Sequence, residues 1–458
     1  MKLVVTLGAL FVSAPVFAQP QPTQPQPPQP QPAQPQPKPQ FVQPPAPTPP
    51  PPNAQTLTMA EAVALAMRQD PSLRQSRASI EVARGRVDQV QATRRPTLTV
   101  TGNLTASGGG GSGALARDFL DPTTGASVGG AASWRIYDFG QTAAQLHAAK
   151  LNAEAVTAGL DTTMLDVVRN VELSYLEAVA RARLVTVAEA TVKSEEAHVD
   201  QAKRFVAAQA KDPIEVATAQ ARAANARAAL ALAYSNQAIA LATLRAAIGA
   251  VDPNQSFVVA NSWPVPPGDA PPLTSLVETA RRQRPELVQA DKEVAASDAS
   301  IDAASAQLRP VLSAAARADW SPQFGGNWEH PGWTAGLTLS WPIYDGGRTK
   351  ADVRIARANK QSAIAQRDAL LIDLTSQLDA TRSQIEANRA GVESSKEAVD
   401  AANAQLKLAN ARYAQGLGSQ IELSDAETAV TTAQGNLVQS EWQLANAWTN
   451  LRRSLGER

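Results

Sequence analysis

The feature that most constrains this chain is a seven-residue motif that occurs twice, as WRIYDFG at Trp134–Gly140 and as WPIYDGG at Trp341–Gly347. Each copy closes a stretch in which apolar and polar residues alternate, and each opens a long alanine-rich stretch without proline. The alternation predicts a strand and the alanine-rich stretch predicts a helix. Because the chain makes this change twice, it is an internal duplication. We assign the strand-to-helix switch to six motif residues: Tyr137, Asp138, Gly140, Tyr344, Asp345 and Gly347.

The N-terminal region predicts export from the cytoplasm. Lys2 precedes an apolar run, and small or slim residues precede a cleavage position after Ala18, so residues 1–18 are predicted to be a signal peptide. Residues 19–53 are dominated by proline and glutamine, cannot bury a core, and are predicted to be a disordered linker. We expect one structural repeat at 54–260 and a second at 261–458.

Four alternating stretches predict two β-hairpins, one in each repeat. Their cores are 97–104 and 128–137 in the first repeat, and 312–320 and 333–343 in the second. Apolar residues lie on one face and polar residues on the other, which is typical of strands in a transmembrane β-barrel. Near the strand ends are four tryptophans that we expect to form an aromatic girdle: Trp134, Trp320, Trp333 and Trp341.

Four strands are too few to close a barrel, and open sheet edges are not tolerated in lipid. A soluble sheet packed on one core is disfavoured, because the hairpins are far apart in the sequence and most other segments are predicted helices. Copies of the chain must therefore pool their strands. Two copies would supply about eight strands and three copies about twelve, and the pattern alone does not choose between them.

Helices surround the strands in both repeats. A proline breaks the helical tract before each hairpin, at Asp70–Pro71 and at Arg284–Pro285. After each switch, a tract of about 65 residues, or roughly 100 Å, predicts a helical barrel or coiled coil. Each tract turns back at a short break and returns to Gly249 or Gly456, which are predicted helix C-caps.

Both breaks carry helix-start signals. In the second repeat, Gly416 and Gly418 can take positive φ, and Ser419 with Glu422 predicts a capping box. In the first repeat, Asp212 is the predicted N-cap, followed by Pro213 at the first helical position and Glu215 at the third.

Composition excludes several other functions. The formal net charge is zero, which gives no reason to expect a nucleic-acid partner, and cysteine is absent, which excludes disulfides and thiolate metal sites. The three histidines, His147, His198 and His330, have no metal-ligand spacing. Common catalytic motifs are missing, so we expect neither an enzyme nor a cofactor or metal site.

The duplicated Ile-Tyr-Asp-x-Gly switches, the two X-Pro-x-Leu helix breaks and the Arg412–Ser419 turn together resemble the TolC-type outer-membrane efflux channels. The resemblance covers about residues 55–458. It implies an α+β fold, mostly α: a homotrimer with a twelve-stranded barrel in outer-membrane lipid, continued through the periplasm by a long α-helical coiled-coil barrel. It also implies a passive duct for efflux or type I secretion, joined by a periplasmic adaptor protein to an inner-membrane pump.

The resemblance also implies a periplasmic tip and a pore entrance. The adaptor-contacting tip would comprise five residues: Phe205, Tyr413, Gly416, Leu417 and Ser419. Acidic rings at the entrance would comprise Glu422 and Asp425, with Glu215 as the first-repeat analogue. The first-repeat turn has no glycine and is expected to be one residue longer than its partner, which makes the two adaptor sites unequal.

A second hypothesis is a structural envelope protein. Three chains would form a barrel anchor with a coiled-coil stalk and would transport nothing. Conductance of the purified protein would discriminate this hypothesis from an export duct.

Overall fold

The computed structural model describes residues 55–107, 123–250, 257–260, 263, 268–320 and 332–457. The predicted signal peptide, the proline-rich linker and the glycine run at 108–113 lie outside the described residues. The repeat boundaries at 54–260 and 261–458 stay predictions. The elements are β1 Gln55–Leu57, α1 Met59–Gln69, α2 Pro71–Ala92, β2 Thr97–Ser107, β3 Thr123–Tyr137, α3 Gln141–Ala207, α4 Ile214–Ile248, β4 Phe257–Val259, α5 Leu273–Gln283, α6 Pro285–Ser305, β5 Val311–Trp320, β6 Gly332–Ser340, α7 Arg348–Ala414 and α8 Gln420–Leu455.

Both predicted proline breaks are confirmed. Asp70 separates α1 from α2, and its Oδ1 accepts a hydrogen bond of 2.7 Å from the backbone N–H of Ser72. Arg284 separates α5 from α6 in the same way, without a side-chain cap. The first helix begins at Met59 and not at Leu57, where the apolar sequence predicts its start, because Leu57 belongs to β1, which pairs in parallel with β4. Thr58 then caps α1 through a reciprocal capping box with Glu61.

The four predicted membrane strands form one antiparallel sheet in the order β2-β3-β5-β6. The register aligns the apolar face across all four strands, for example Leu98 with Ala132, Ala132 with Ala316, and Ala316 with Ala335. Large apolar side chains on this face are exposed, with Leu98 at 78%. The sheet therefore presents a continuous apolar surface that the described residues leave exposed.

Two details of the sheet differ from the prediction. Strand β6 ends at Ser340, so Trp341 and Ile343 lie beyond it, because the intervening Pro342 has no N–H for a strand ladder. In β3 a bulge leaves Ile136 without a register partner and places Tyr137 opposite Leu312. Tyr137, rather than Ile136, therefore continues the apolar face.

Helices α3 and α7 each run for 67 residues, as predicted, which is roughly 100 Å. Helix α4 returns along α3, and α8 returns along α7. Below the sheet, α2 packs on α3, α3 on α6, and α6 on α7, so the helices repeat the order of the strands they join. Within the described residues, no helix has a segment long and apolar enough to cross a membrane.

Each repeat has its own apolar core where the short helices meet the long ones. In the first core, the Tyr175 hydroxyl donates to the carbonyl of Leu57 at 3.0 Å and accepts from the N–H of Ala260 at 3.1 Å, which ties β1 and β4 to α3. Leu374, Leu378 and Ile385 of α7 anchor the second core. Farther along the long helices the clusters are small and alanine-rich, which permits close helix packing.

Candidate functional site

The two switch motifs have the same geometry. Gly140 and Gly347 take left-handed conformations, with φ of 90° and 88°, which turn the chain from extended segment to helix. Asp345 Oδ1 accepts from the N–H of Gly347 at 3.0 Å, and its Oδ2 accepts from the N–H of Thr349 at 2.7 Å. Asp138 makes the equivalent bonds in the first repeat. The switch is therefore an aspartate-capped helix start.

Sequence reasoning missed the threonine that completes each switch. Thr142 and Thr349 donate their hydroxyls to Asp138 and Asp345, and both threonines are buried. The signal was present, because Asp-x-x-x-Thr occurs in both motif copies at the same spacing. The two tyrosines of the switch motifs are exposed, Tyr137 at 58% and Tyr344 at 86%, whereas the threonines are buried.

The four tryptophans lie toward the two ends of the sheet. Trp134 and Trp341 are near the helices, whereas Trp320 and Trp333 are near the opposite ends of β5 and β6. All four expose their rings. Trp134 nevertheless donates its indole N–H to the carbonyl of Arg94 at 2.9 Å, which suits a ring with an apolar body and a satisfied polar edge.

The second-repeat turn is organised by glycine and serine. Gly416 has a φ of +74°, as predicted, whereas the φ of Gly418 is not positive. Glycine is needed at 418 because the backbone of Tyr413 passes close by: a Cβ there would lie 3.0 Å from the backbone nitrogen of Tyr413. Ser419 is the N-cap of α8 and accepts from the N–H of Glu422 at 3.1 Å. The predicted reciprocal bond from Glu422 is absent from the described contacts, because its carboxylate lies 3.4 Å from Arg412 Nη1.

The first-repeat turn is one residue longer than its partner, as predicted: it spans 208–213 between α3 and α4, whereas the second-repeat turn spans 415–419 between α7 and α8. A constant 207 positions separate Gly140 from Gly347, Gln209 from Gly416, and Gly249 from Gly456. Gln209 takes the left-handed conformation, with a φ of +56°, that Gly416 takes in the second repeat. The extra residue lies at the start of the return helix, because α4 begins at Ile214, the equivalent of Ile421, whereas α8 begins one position earlier, at Gln420.

The start of α4 also differs from the prediction. Pro213, rather than Asp212, is the N-cap residue, and it supplies no side-chain cap. Asp212 lies one residue earlier and still accepts a hydrogen bond from the N–H of Ile214 at 3.2 Å. Proline at the N-cap is tolerated because α4 has no preceding helical turn with which its ring could clash.

The two turns are joined to each other through Tyr413. Its ring makes an edge contact with Phe205 at 5.8 Å, and its hydroxyl donates to Glu215 Oε2 at 3.2 Å. Lys211 Nζ lies 3.4 Å from Glu215 and 5.4 Å from the centre of the Tyr413 ring. Burial first, and then the negative charge of Glu215, raise the pKa of Tyr413 to about 12. The hydroxyl is therefore a stable donor at neutral pH.

The three predicted entrance acids have different surroundings. Glu215 is held by Tyr413 and Lys211, and Glu422 faces Arg412. Asp425 is exposed on α8, three positions from Glu422, so both can lie on one side of the helix. The structure thus brings Glu215 into the contact between the turns and leaves Asp425 open to solvent.

A buried polar cluster farther from the turns was not predicted. His198 Nε2 contacts Glu427 Oε1, and the Ser194 hydroxyl donates to the same oxygen at 2.7 Å, which links α3 to α8. The hydrogen bond to Glu427 raises the pKa of His198, although burial opposes it, and nearby Glu195 adds to the rise. Within the described residues, no cluster of three or more His, Asp or Glu side chains could hold a metal ion.

The sheet, the paired long helices and the joined turns define a channel-forming envelope protein. The family model described as "Outer membrane efflux protein" matches residues 62–250 and 276–457, and the chain therefore belongs to this family. Its two matched segments fit the internal duplication. As a family member, the chain is an outer-membrane efflux protein that extends into the periplasm.

Individual relatives agree with this assignment. Nodulation protein T of Rhizobium leguminosarum bv. trifolii is 23% identical over 85% of this chain and 83% of its own length. Protein CyaE of Bordetella pertussis is 28% identical, and the match covers 67% of this chain and 64% of that protein. The Campylobacter jejuni CmeC outer membrane channel has the same fold, with a TM-score of 0.70 at 16% identity, covering 87% of this chain and 85% of that one.

Proposed function

We propose that three copies of this chain form the outer-membrane exit duct of a tripartite efflux or type I secretion system. The duct conducts small molecules or secreted proteins passively and catalyses no reaction. Each copy contributes four strands to a barrel in outer-membrane lipid and four long helical segments to a periplasmic tunnel. A periplasmic adaptor protein joins the tunnel to an inner-membrane pump.

The observation that carries this proposal is the uncovered four-stranded sheet. Its apolar face is aligned across every strand and exposed, and in the described chain β2 and β6 each have a strand neighbour on one side only. In lipid the apolar face is favourable, but the open edges are not. Further copies would pair these edges and enclose a pore.

The tip suits a contact with an adaptor. Leu417 is 71% exposed, while Ile214 and Ile421, which start the return helices, are each 68% exposed. Exposed apolar side chains grouped at the end of a helical bundle are typical of protein-binding surfaces. Gly416 and Ser419 set the turn that presents Leu417, whereas Phe205 and Tyr413 support it from inside the bundle.

The entrance proposal is tested by conductance. Three copies of Glu422 and Asp425 would form anionic rings that favour cations, with Glu215 beside them. We expect Glu422→Ala combined with Asp425→Ala to raise single-channel conductance in planar bilayers and to weaken block by divalent cations. Glu81→Ala combined with Asp88→Ala, two exposed acids of α2, is the matched control and should change neither quantity. Unchanged conductance and block in the entrance variant would exclude the acidic rings.

The adaptor contact is tested at Gly416. Its N–H donates to the carbonyl of Tyr413 at 3.1 Å and its φ is +74°, and proline can satisfy neither condition. We expect Gly416→Pro to abolish efflux while trimers remain in the membrane. The control is Gly391→Ala in the middle of α7, where an added Cβ would have no heavy atom within 4 Å, and it should leave efflux unchanged. Normal drug resistance with Gly416→Pro would refute the docking role.

A further inference from the structure

A cavity of about 440 Å³ lies where the two repeats meet, and the proposed duct does not use it. It is open to solvent and is lined by residues of α3, α7, α8 and the break between α5 and α6. Three arginines from three of these places line it: Arg169 from α3, Arg284 from the break and Arg453 from α8. Such convergence of guanidinium groups from distant parts of a chain requires an explanation.

The arginines outnumber their carboxylate partners. Arg453 donates from Nε to Asp166 at 2.7 Å and lies 2.6 Å from Glu286 through Nη2. Arg284 shares the same Glu286, at 3.2 Å. Arg169 donates only to the uncharged amide of Asn450, at 2.8 Å, among the described residues. Three positive charges thus face two negative ones, and Arg169 is the uncompensated one.

Two guanidinium nitrogens also have no acceptor. Arg284 is only 7% exposed, and its Nη1 is buried without a hydrogen-bond partner in the described part of the chain. Arg453 Nη1 is in the same condition. Buried donors of this kind are unfavourable when unpaired. A guanidinium fork is best satisfied by an anion that offers several oxygens, such as phosphate or a carboxylate.

We propose that this cavity binds one phosphate-sized oxyanion per chain. Arg169 supplies the uncompensated charge. The unpaired Nη1 donors of Arg284 and Arg453 lie buried behind the cavity lining, and these two guanidinium groups turn toward the ion when it binds. The hydroxyls of Thr381 and Ser454 also line the cavity and can donate to the remaining oxygens. Asp166 lies there too, but its carboxylate is engaged by Arg453. The bound ion would fasten the first repeat to the second, because its ligands come from both.

The experiment is equilibrium dialysis of the purified full-length protein with radiolabelled inorganic phosphate, in chloride buffer at constant ionic strength. We expect about one phosphate per chain, displaced by sulfate. Arg169→Gln should weaken binding at least tenfold, and Arg284→Gln should abolish it. Arg389→Gln removes an exposed arginine that pairs with Asp269, and it should bind phosphate as the unaltered protein does.

Circular dichroism of each variant establishes that it is folded, and Arg169→Gln keeps the test valid if Arg284→Gln does not fold. No phosphate uptake at millimolar concentration would overturn the proposal. That is also the result expected if a carboxylate of a neighbouring copy fills the cavity. Equal affinity in the Arg169→Gln and unaltered proteins would also overturn it. Conductance is not measured in this test, so failure of the anion site and failure of the duct are distinguishable.

Discussion

The hydrogen bond between the two turns provides the most direct test of what joins them at the proposed pore entrance. Tyr413→Phe removes the hydroxyl that donates to Glu215 at 3.2 Å and leaves the ring contact with Phe205. A hydrogen bond to a charged group contributes about 1.5–3 kcal/mol, and the length of this one favours the lower figure. A loss of about 1.5 kcal/mol corresponds to roughly a tenfold change in the ratio of open to closed tips.

The measurement is the fraction of time that single channels spend in the higher-conductance state. Tyr344→Phe is the matched control, because that phenol is 86% exposed and should contribute little. A double-mutant cycle with Glu215→Ala should give a coupling energy of about 1.5 kcal/mol. Additive effects of Tyr413→Phe and Glu215→Ala, or an equal effect of Tyr344→Phe, would refute the reasoning.

The same bond predicts a response to alkaline pH. The folded protein holds the Tyr413 proton more tightly than the unfolded chain does, because the pKa is raised from 10 to about 12. Stability from this proton is therefore fully present below pH 10 and is lost as pH rises toward 12. Open-state occupancy should increase over that interval, and Tyr413→Phe should remove this part of the increase.

Three further changes test other contacts. His198→Gln should lower the thermal midpoint by an amount equivalent to about 1 kcal/mol at pH 6 and by less at pH 8.5. The effect shrinks because the raised pKa of His198 gives stability that is lost as pH rises. His147→Gln changes an exposed histidine and is the control. Asp345→Ala should lower the thermal midpoint, because it removes the acceptor of the Gly347 and Thr349 N–H groups, and Asp345→Asn should lower it less, because asparagine also caps helices. Gln209→Gly should stabilise the first turn by about 1 kcal/mol in the same assay, since it relieves a left-handed conformation.

The repeating parts of the fold were predictable because each has a local cause. Period-two alternation gave the four strands, and the proline at Pro71 and the glycines at Gly249 and Gly456 gave helix limits within a few residues. The bulge at Ile136 was not predictable, because it depends on the register against β5. Local rules thus gave the order of elements, whereas pairing across the sheet set its finer geometry.

Contacts between the repeats were beyond the reach of sequence reasoning. Tyr413 and Glu215 are 198 positions apart, and His198 and Glu427 are 229 apart. Neither pair has a sequence spacing that marks it, because Tyr413 of α7 contacts α4 and Glu427 of α8 contacts α3, and both contacts depend on how the two repeats pack together. The acids at Glu422 and Asp425 were found through a helix-start pattern and the family resemblance, and their role in the pore stays a prediction.

The matching order of strands and helices leads to the last prediction. Strand β2 and helix α2 end the array on one side, and β6 and α7 end it on the other, so a second copy can extend both layers at once. Thr99 on β2 and Thr338 on β6 are separated by β3 and β5, or roughly 14 Å of sheet, which is too far for a disulfide within one chain. The natural chain has no cysteine.

The doubly substituted Thr99→Cys, Thr338→Cys protein should therefore form covalent dimers and trimers on mild oxidation, as seen on denaturing gels. The control is Ser313→Cys with Thr338→Cys, which are register partners on β5 and β6 and should link within one chain. If the register between copies displaces the first pair, Thr97→Cys or Thr101→Cys replaces Thr99→Cys one step along the same face. Only monomeric products from all three edge pairs would show that the sheet edges do not meet, and closure of the pore by neighbouring copies would then be wrong.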